Sequence, residues 1–214
     1  MRLMFIALLL TPSIATAELR PNQQKLLSYY DALFDPTENL LKVAFSSPGY
    51  HTKFQDGDLV HPTRESFYYA IALLQRGKTN DVSRAGHILK TVLPLQETKR
   101  TDPAYGVWPY LLEEPLGKME SVDLNWADFC GAAISQILVE HGHQLDVALQ
   151  RQMTTALSHA AHAIRQRDVK PGYTNIAVLG GGVCAVAGEI LKDCLLYTSP
   201  SPRDATLSRM PSSA

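Results

Sequence analysis

The strongest constraint on this 214-residue chain is an alternation between two kinds of helical segment. Residues 67–74 are apolar on every side of a helix, whereas residues 81–96 have a single apolar stripe. Residues 123–141 and 145–167 repeat that pair, and residues 176–191 begin it again. A helix that is apolar all round is buried on all sides, and a helix with one stripe keeps a polar face in water. The order predicts an all-α fold of helical hairpins, each with an inner and an outer helix.

Inner and outer rings of helices are the architecture of an α/α toroid. Loops 46–62 and 98–122 separate the hairpins, and they are longer than the loops of a plain helical solenoid. In a solenoid the two helices of a hairpin are also buried to similar extents. Six hairpins of roughly 50 to 65 residues each would need well over 300 residues, so we expect an incomplete ring. An incomplete ring exposes apolar flanks of its inner helices, so we expect poor solubility and no activity.

Neither end of the chain resembles the helical body. Residues 1–17 carry one early arginine, an apolar run too short to cross a bilayer and a small-residue A-T-A ending, which is typical of a cleaved secretory signal. This predicts a secreted or periplasmic protein with no membrane association after cleavage. Residues 194–214 are rich in Ser and Pro, lack any period and resemble a translated sequencing adapter, so we expect a non-native, disordered tail. The folded domain is then residues 18–193.

Charge and cysteine content limit the partners and cross-links. The formal net charge of -1 is too balanced for a nucleic-acid-binding protein. Within residues 18–193, Cys130 and Cys184 each lie in an apolar stretch. They form either a buried disulfide or two free core thiols.

Polar residues occupy the first turn of each predicted inner helix, just before its apolar run. In a toroid these N-terminal ends open on one side, where backbone N–H groups and positive dipole ends favour polar side chains and anionic ligands. A buried carboxylate left unpaired costs several kcal/mol, so acidic residues there need a reason. We expect one shared cavity that contains Arg64, Glu65, Asn125, Asp128 and Asn175.

Aromatic residues occur in the same segments: Tyr50, Tyr105, Trp108, Trp126 and Tyr173. Flat apolar rings with hydrogen-bonding tips suit pyranose sugars, and two carboxyl groups can supply the acid and the base or nucleophile of glycoside cleavage. A purely structural alternative is that Asp128 and Asn175 cap helices while Trp126 fills core.

Residues 125–129, N-W-A-D-F, together with the alternation over residues 63–191, resemble secreted α/α-toroid carbohydrate-active enzymes, which comprise six-hairpin glycosidases and toroid polysaccharide lyases. The resemblance implies an oligosaccharide or polysaccharide substrate and no cofactor. For a hydrolase it implies two acidic residues, and Asp128 with Glu65 fit. For a lyase it implies a Tyr or His base with residues that neutralise a uronate, and the candidates are Tyr68, His61, Asn125 and Arg64.

Two other functions fit parts of the chain. Gly180-x-Gly182-x-x-Ala185 matches the fingerprint of FAD- or NAD-binding oxidoreductases, provided that residues 175–180 form a strand. A non-enzymatic helical scaffold would instead leave the inner helix starts apart, with Trp108 and Trp126 in separate cores. The histidine spacings 141/143 and 159/162 could each supply two metal ligands, but neither pattern supplies a complete ligand set, so we expect no metal site.

Overall fold

The computed structural model describes residues 19–197. They are mostly helical, as predicted, with seven helices: α1 Pro21–Leu33, α2 Thr63–Arg76, α3 Thr79–Val92, α4 Trp126–Gln136, α5 Val147–Arg167, α6 Thr174–Leu191 and α7 Cys194–Tyr197. The expected signal segment lies outside the described residues, as do residues 198–214 of the expected tail. Residues 194–197 form a helical turn whose Leu196 side chain is buried, which differs from the disorder expected there.

Short elements complete residues 19–197. Strand β1 (Phe34–Asp35) pairs antiparallel with β2 (Leu40–Leu41), and β3 (Val43–Ala44) pairs in the same way with β4 (Leu59–Val60). Strands of two residues are too short to show a period in the sequence, so they were not predicted. Short 3-10 turns and one π-helical turn also occur: Leu93–Leu95, Leu116–Lys118, Gly142–Gln144 and the π turn Ile137–His141.

Local chemistry explains where the main helices begin and end. Pro21 occupies the first position of α1, where its missing N–H costs nothing. Gly77 adopts the left-handed conformation (φ 68°) and donates its N–H to the carbonyl of Leu73 at 2.9 Å, which ends α2. Asp146 caps α5, because its Oδ1 accepts the Leu149 N–H at 2.8 Å.

The helices pack as two hairpins, α2/α3 and α4/α5, followed by α6, which lies against both α4 and α5. Asp128 and Gly131 of α4 face Gly180 and Val183 of α6 in the same order, so α4 and α6 run parallel. Helix α5 runs antiparallel to α6, since its Ile164 contacts Gly180 and its Ala161 carbonyl accepts from the later Cys184. The central core joins fully buried side chains from these helices and loops: Phe67, Leu73, Ile88, Trp108, Ile134 and Met153.

Burial follows the predicted pattern only in part. The stripe predicted on α5 is buried: Leu149, Met153, Ala156, Ala160 and Ile164. Helices α2 and α6 are not buried on every side, because Tyr68 is 40% exposed and Val178 70% exposed. Exposed flanks on these helices are what we expected of an incomplete set of hairpins. The described residues cover only part of the circumference of each of these two helices.

Helix α6 contains the three consecutive glycines. Residues 175–180 are helical, so the strand that a dinucleotide-binding site requires is absent from this described segment, and that expectation is wrong. Gly180 is instead a packing position: a Cβ there would lie 2.6 Å from Oδ1 of Asp128 and 2.8 Å from Ile164 Cγ2. The glycine lets α6 approach α4 and α5 closely.

Helix α6 is also the helix of the described chain that is long and apolar enough to cross a membrane, by length and composition. About a third of this stretch is buried against the rest of the protein. A core helix can have the same length and composition.

Candidate functional site

The N-terminal ends of α2, α4 and α6 lie together. Trp126 at the start of α4 donates its indole N–H to Thr63 Oγ1 of α2 at 3.3 Å. Asn125, just before α4, donates from Nδ2 to the hydroxyl of Tyr173 at 3.4 Å, and Tyr173 immediately precedes α6. The structure thus brings together Asn125, Trp126 and Tyr173 with the first turn of α2.

An arginine–glutamate pair occupies this junction. Arg64 Nε and Nη2 lie 3.0 and 2.5 Å from Oε1 of Glu65. The guanidinium carbon lies 5.0 Å from the ring centre of Trp126 and 5.1 Å from that of Phe129, within cation–π range. The second oxygen of Glu65, Oε2, is buried and has no hydrogen-bond partner among the described residues. An unpaired buried acceptor is costly, so a donor from a ligand would be stabilising there.

Aromatic rings surround the ion pair. Tyr110 lies 4.8 Å from Trp126 between ring centres, and Tyr50 lies 5.7 Å from Tyr110 and 6.2 Å from Trp126. Tyr68 follows Glu65 by three positions, which places it on the same face of α2. Three of the tyrosines are well exposed, Tyr50 and Tyr68 at 40% and Tyr173 at 51%. We call this surface the tyrosine patch: Tyr50, Arg64, Glu65, Tyr68, Tyr110, Asp123, Asn125, Trp126, Phe129 and Tyr173.

The hydroxyls of Tyr68 and Tyr110 stay protonated. Burial raises the pKa of Tyr68 above its usual 10.0, with Arg64 opposing and Glu65 adding to the rise. Burial also raises the pKa of Tyr110, to which the charge of Glu65 contributes. These hydroxyls are therefore hydrogen-bond donors at neutral pH, and a raised pKa makes Tyr68 a weaker candidate for a catalytic base.

Asp123 is a further carboxylate of this surface, and it was not among the candidate site residues expected from the sequence. Its Oδ2 accepts from the hydroxyl of Tyr50 at 2.5 Å, and its Oδ1 accepts the backbone N–H of Asn125 at 2.9 Å. Burial and this hydrogen bond raise the pKa of Tyr50. The signal was present in the sequence, since Asp123 belongs to the same helix start as Asn125 and Trp126.

Asp128 lies away from the tyrosine patch. It follows Trp126 by two positions, and two residues turn an α-helix by about 200°, so the two side chains leave opposite sides of α4. Asp128 is fully buried and forms an ion pair with Arg167 of α5. Burial raises the pKa of Asp128, and the charge of Arg167 opposes the rise. The expected pairing of Asp128 with Glu65 in one cavity is therefore not what the geometry provides.

Three further candidates have other roles. His61 is buried between two carboxylates, with Nδ1 2.5 Å from Glu113 Oε1 and Nε2 3.4 Å from Asp35 Oδ2. Trp108 is fully buried in the core and donates its indole N–H to the carbonyl of Val92 at 3.1 Å. Asn175 is exposed in the first turn of α6.

Tyr105 belongs to a different surface. Its hydroxyl lies 2.9 Å from Nδ1 of His159 on α5, and its side chain is nearly buried. Trp108 and Tyr105 are therefore outside the tyrosine patch, although their aromatic character suggested a shared site.

Cysteine and metal chemistry are limited in the described part of the chain. Cys130 and Cys184 are buried free thiols, which settles the alternative that the sequence left open. Within residues 19–197, no group of three or more His, Cys, Asp or Glu side chains is placed to hold a metal ion.

Comparison with known proteins identifies a family without a described activity. No curated protein and no solved structure matches the chain. A family described as a domain of unknown function (DUF8769) matches residues 24–203, and this span ends within the segment that resembles an adapter. That match extends over most of the sequence, and the chain therefore belongs to the DUF8769 family.

Proposed function

We propose that the tyrosine patch binds a sugar ring of an oligosaccharide or polysaccharide, and that the protein is an exported carbohydrate-active enzyme. The observation that supports this most is the Arg64–Glu65 pair set among aromatic rings, with Glu65 Oε2 lacking a partner among the described residues. Exposed tyrosine faces pack against the apolar faces of a pyranose, and protonated hydroxyls donate to its oxygens. The lone Glu65 oxygen accepts from a sugar hydroxyl.

The proposed architecture is the first part of an α/α toroid. Helices α2, α4 and α6 would be its inner helices, because their N-terminal ends meet at one surface and α4 contacts both neighbours. Helices α3 and α5 contact each other and would belong to the outer ring. This arrangement supports a ligand site at the inner helix starts, where helix dipoles add to the field.

Among the reactions that the sequence suggested, we propose hydrolysis. Glu65 keeps the role of an acid or base, and Asp123 replaces Asp128 as the second carboxyl group, because Asp123 lies in the patch and Asp128 does not. Elimination needs a free cation to neutralise a uronate, but Arg64 is already bound by Glu65. With two carboxylates and one guanidinium, the patch favours a neutral sugar over an acidic one.

Saturation-transfer NMR with neutral and uronate oligosaccharides tests this function. We expect binding of a neutral oligosaccharide, loss of that binding in Tyr68→Ala, and unchanged binding in Tyr29→Ala. Tyr29 is a suitable control because it is 59% exposed on α1 and its ring contact is with Tyr30. Where the parent protein releases reducing ends from an oligosaccharide, Glu65→Gln should abolish that release. Binding of uronate oligosaccharides alone, with unsaturated products, would instead support a lyase.

A further inference from the structure

A second surface, formed around the C-terminal end of α5, carries a cluster of basic side chains. Two adjoining depressions of about 340 and 210 Å³ share Arg100, Tyr105 and Gln166 in their linings. The larger also contacts His162 and Arg165, and the smaller contacts Arg167. We call this surface the basic groove: Arg100, Tyr105, His162, Arg165, Gln166 and Arg167.

Two arginines of the basic groove lack an acidic partner among the described residues, whereas Nε2 of His162 lies 4.0 Å from Oδ2 of Asp193. Across residues 19–197, neither Arg100 nor Arg165 has a carboxylate partner, and the guanidinium carbon of Arg100 lies 5.8 Å from the ring centre of Tyr105. Arg167 is paired with Asp128 through Nη2, but its Nε is buried and lacks an acceptor within the described chain. Asp102 is the acidic residue in the linings, and its Oδ1 already accepts the N–H of Ala104 at 2.8 Å.

Helix capping accounts for only part of this cluster. Arg165 and Arg167 lie in the last turn of α5, where positive side chains are favoured by the helix dipole. Arg100 comes from the loop between α3 and α4, where no such dipole explains it. The pKa of nearby His159 agrees with a positive environment, because burial and the charges of Arg100 and His162 all lower it.

We propose that the basic groove is a binding site for a tetrahedral oxyanion, a phosphate or sulfate group. Guanidinium groups bind such oxyanions through paired, charge-assisted N–H donors, which makes Arg100 and Arg165 the principal ligands. The buried Nε of Arg167 is a further donor that lacks an acceptor within the described chain. His162 lines the groove but is not counted as a principal ligand, because its Nδ1 already donates to the carbonyl of Ser158 at 2.7 Å. Neither Arg64 nor Glu65 lines the basic groove, so this proposal does not depend on the proposed sugar site.

Isothermal titration calorimetry on the full chain tests the site, with inorganic phosphate, sulfate and acetate at constant ionic strength. We expect phosphate and sulfate to bind and acetate to bind much more weakly. The double variant Arg100→Gln/Arg165→Gln should lower the affinity by about tenfold or more, because each charged hydrogen bond contributes more than a neutral one. The control Arg151→Gln removes an exposed arginine from the same helix and should leave the affinity unchanged.

Histidine ring NMR signals of the parent provide a readout that does not depend on folding of the variants. Added phosphate should shift the signals of His162 in the basic groove and leave those of exposed His143 in place. The proposal would be overturned if the double variant bound phosphate as tightly as the parent, or if Arg151→Gln lost as much affinity as the double variant. Acetate binding as tightly as phosphate would overturn it too. Equal shifts at His162 and His143 would overturn it as well.

Discussion

At the scale of single residues, Asp128 shows most clearly what local sequence leaves open. Spacing correctly placed Asp128 in the first turn of α4, next to the residues of the tyrosine patch. Helix geometry places it on the side of α4 opposite Trp126, but its burial depends on Arg167 and Gly180, which lie far along the chain and contact it only after α5 and α6 have packed. Trp108 is similar, because the core position of its ring depends on the distant carbonyl of Val92.

The ion pair of Asp128 predicts a pH-dependent effect of Arg167→Met. Removing one partner of a buried pair costs about 3–5 kcal/mol, because the other charge is left unpaired. The loss in the free energy of unfolding should be largest near pH 7 and smaller near about pH 4. At the lower pH, Asp128 can take up a proton, because burial already raises its pKa in the folded protein. The free energy of unfolding in urea, measured at both pH values, tests this.

Arg165→Met is the matched control for that experiment, because Arg165 lies in the same turn of α5 and has no ion pair among the described residues. It should change stability by less than about 0.5 kcal/mol. If Arg167→Met costs the same at both pH values, the buried charge of Asp128 is not the cause.

At the scale of elements, the sequence predicts where helices end but not which of their side chains are covered by neighbouring helices. Pro21 and Gly77 mark helix boundaries through their own backbone chemistry, which is written in the local sequence. The exposure of Tyr68 and Val178 depends on which neighbours reach α2 and α6, and no periodicity reports that. The glycines of α6 had the right spacing for a dinucleotide loop, but helical packing against Asp128 explains Gly180 instead.

The glycines of α6 predict opposite effects of the same substitution. Gly180→Ala should destabilise the protein by about 1–3 kcal/mol, because its Cβ would overlap Asp128 and Ile164. Gly182→Ala adds a methyl group into open space and should stabilise the helix by up to about 1 kcal/mol. Thermal and urea unfolding of the two variants measure the difference. Equal effects would show that α6 does not pack closely against α4 and α5 at Gly180.

At the scale of the whole molecule, an all-α fold and the meeting of three helix starts followed from the alternation of segments. The second carboxylate of the patch and the basic groove did not, because loops bring Tyr50, Asp123 and Arg100 to their positions. Loop paths have no period from which contacts could be derived.

Global stability should depend on histidine titration. Burial lowers the pKa of His141 and of His159 below the usual 6.5, and for His159 the charges of Arg100 and His162 add to this. A base with a lowered folded pKa binds fewer protons when folded, so stability is lost as pH falls below about 6.5. The urea midpoint should therefore decrease from about pH 7 to about pH 5.

The double variant His141→Gln/His159→Gln separates these histidines from the rest of the molecule. Its urea midpoint should depend less on pH over that range, while His143→Gln, at an exposed position, should behave like the parent. An unchanged slope in the double variant would mean that other groups govern acid stability.

The two buried thiols give the protein built-in reporters of its own motions. Cys130 lies on α4 and Cys184 on α6, both inaccessible to reagents in the folded state, whereas Cys194 is exposed. An alkylating reagent should therefore modify Cys194 at once and reach the other two only when α4 and α6 separate. The delay between these reactions, read by mass spectrometry, would time the opening of the helix pair without any introduced label.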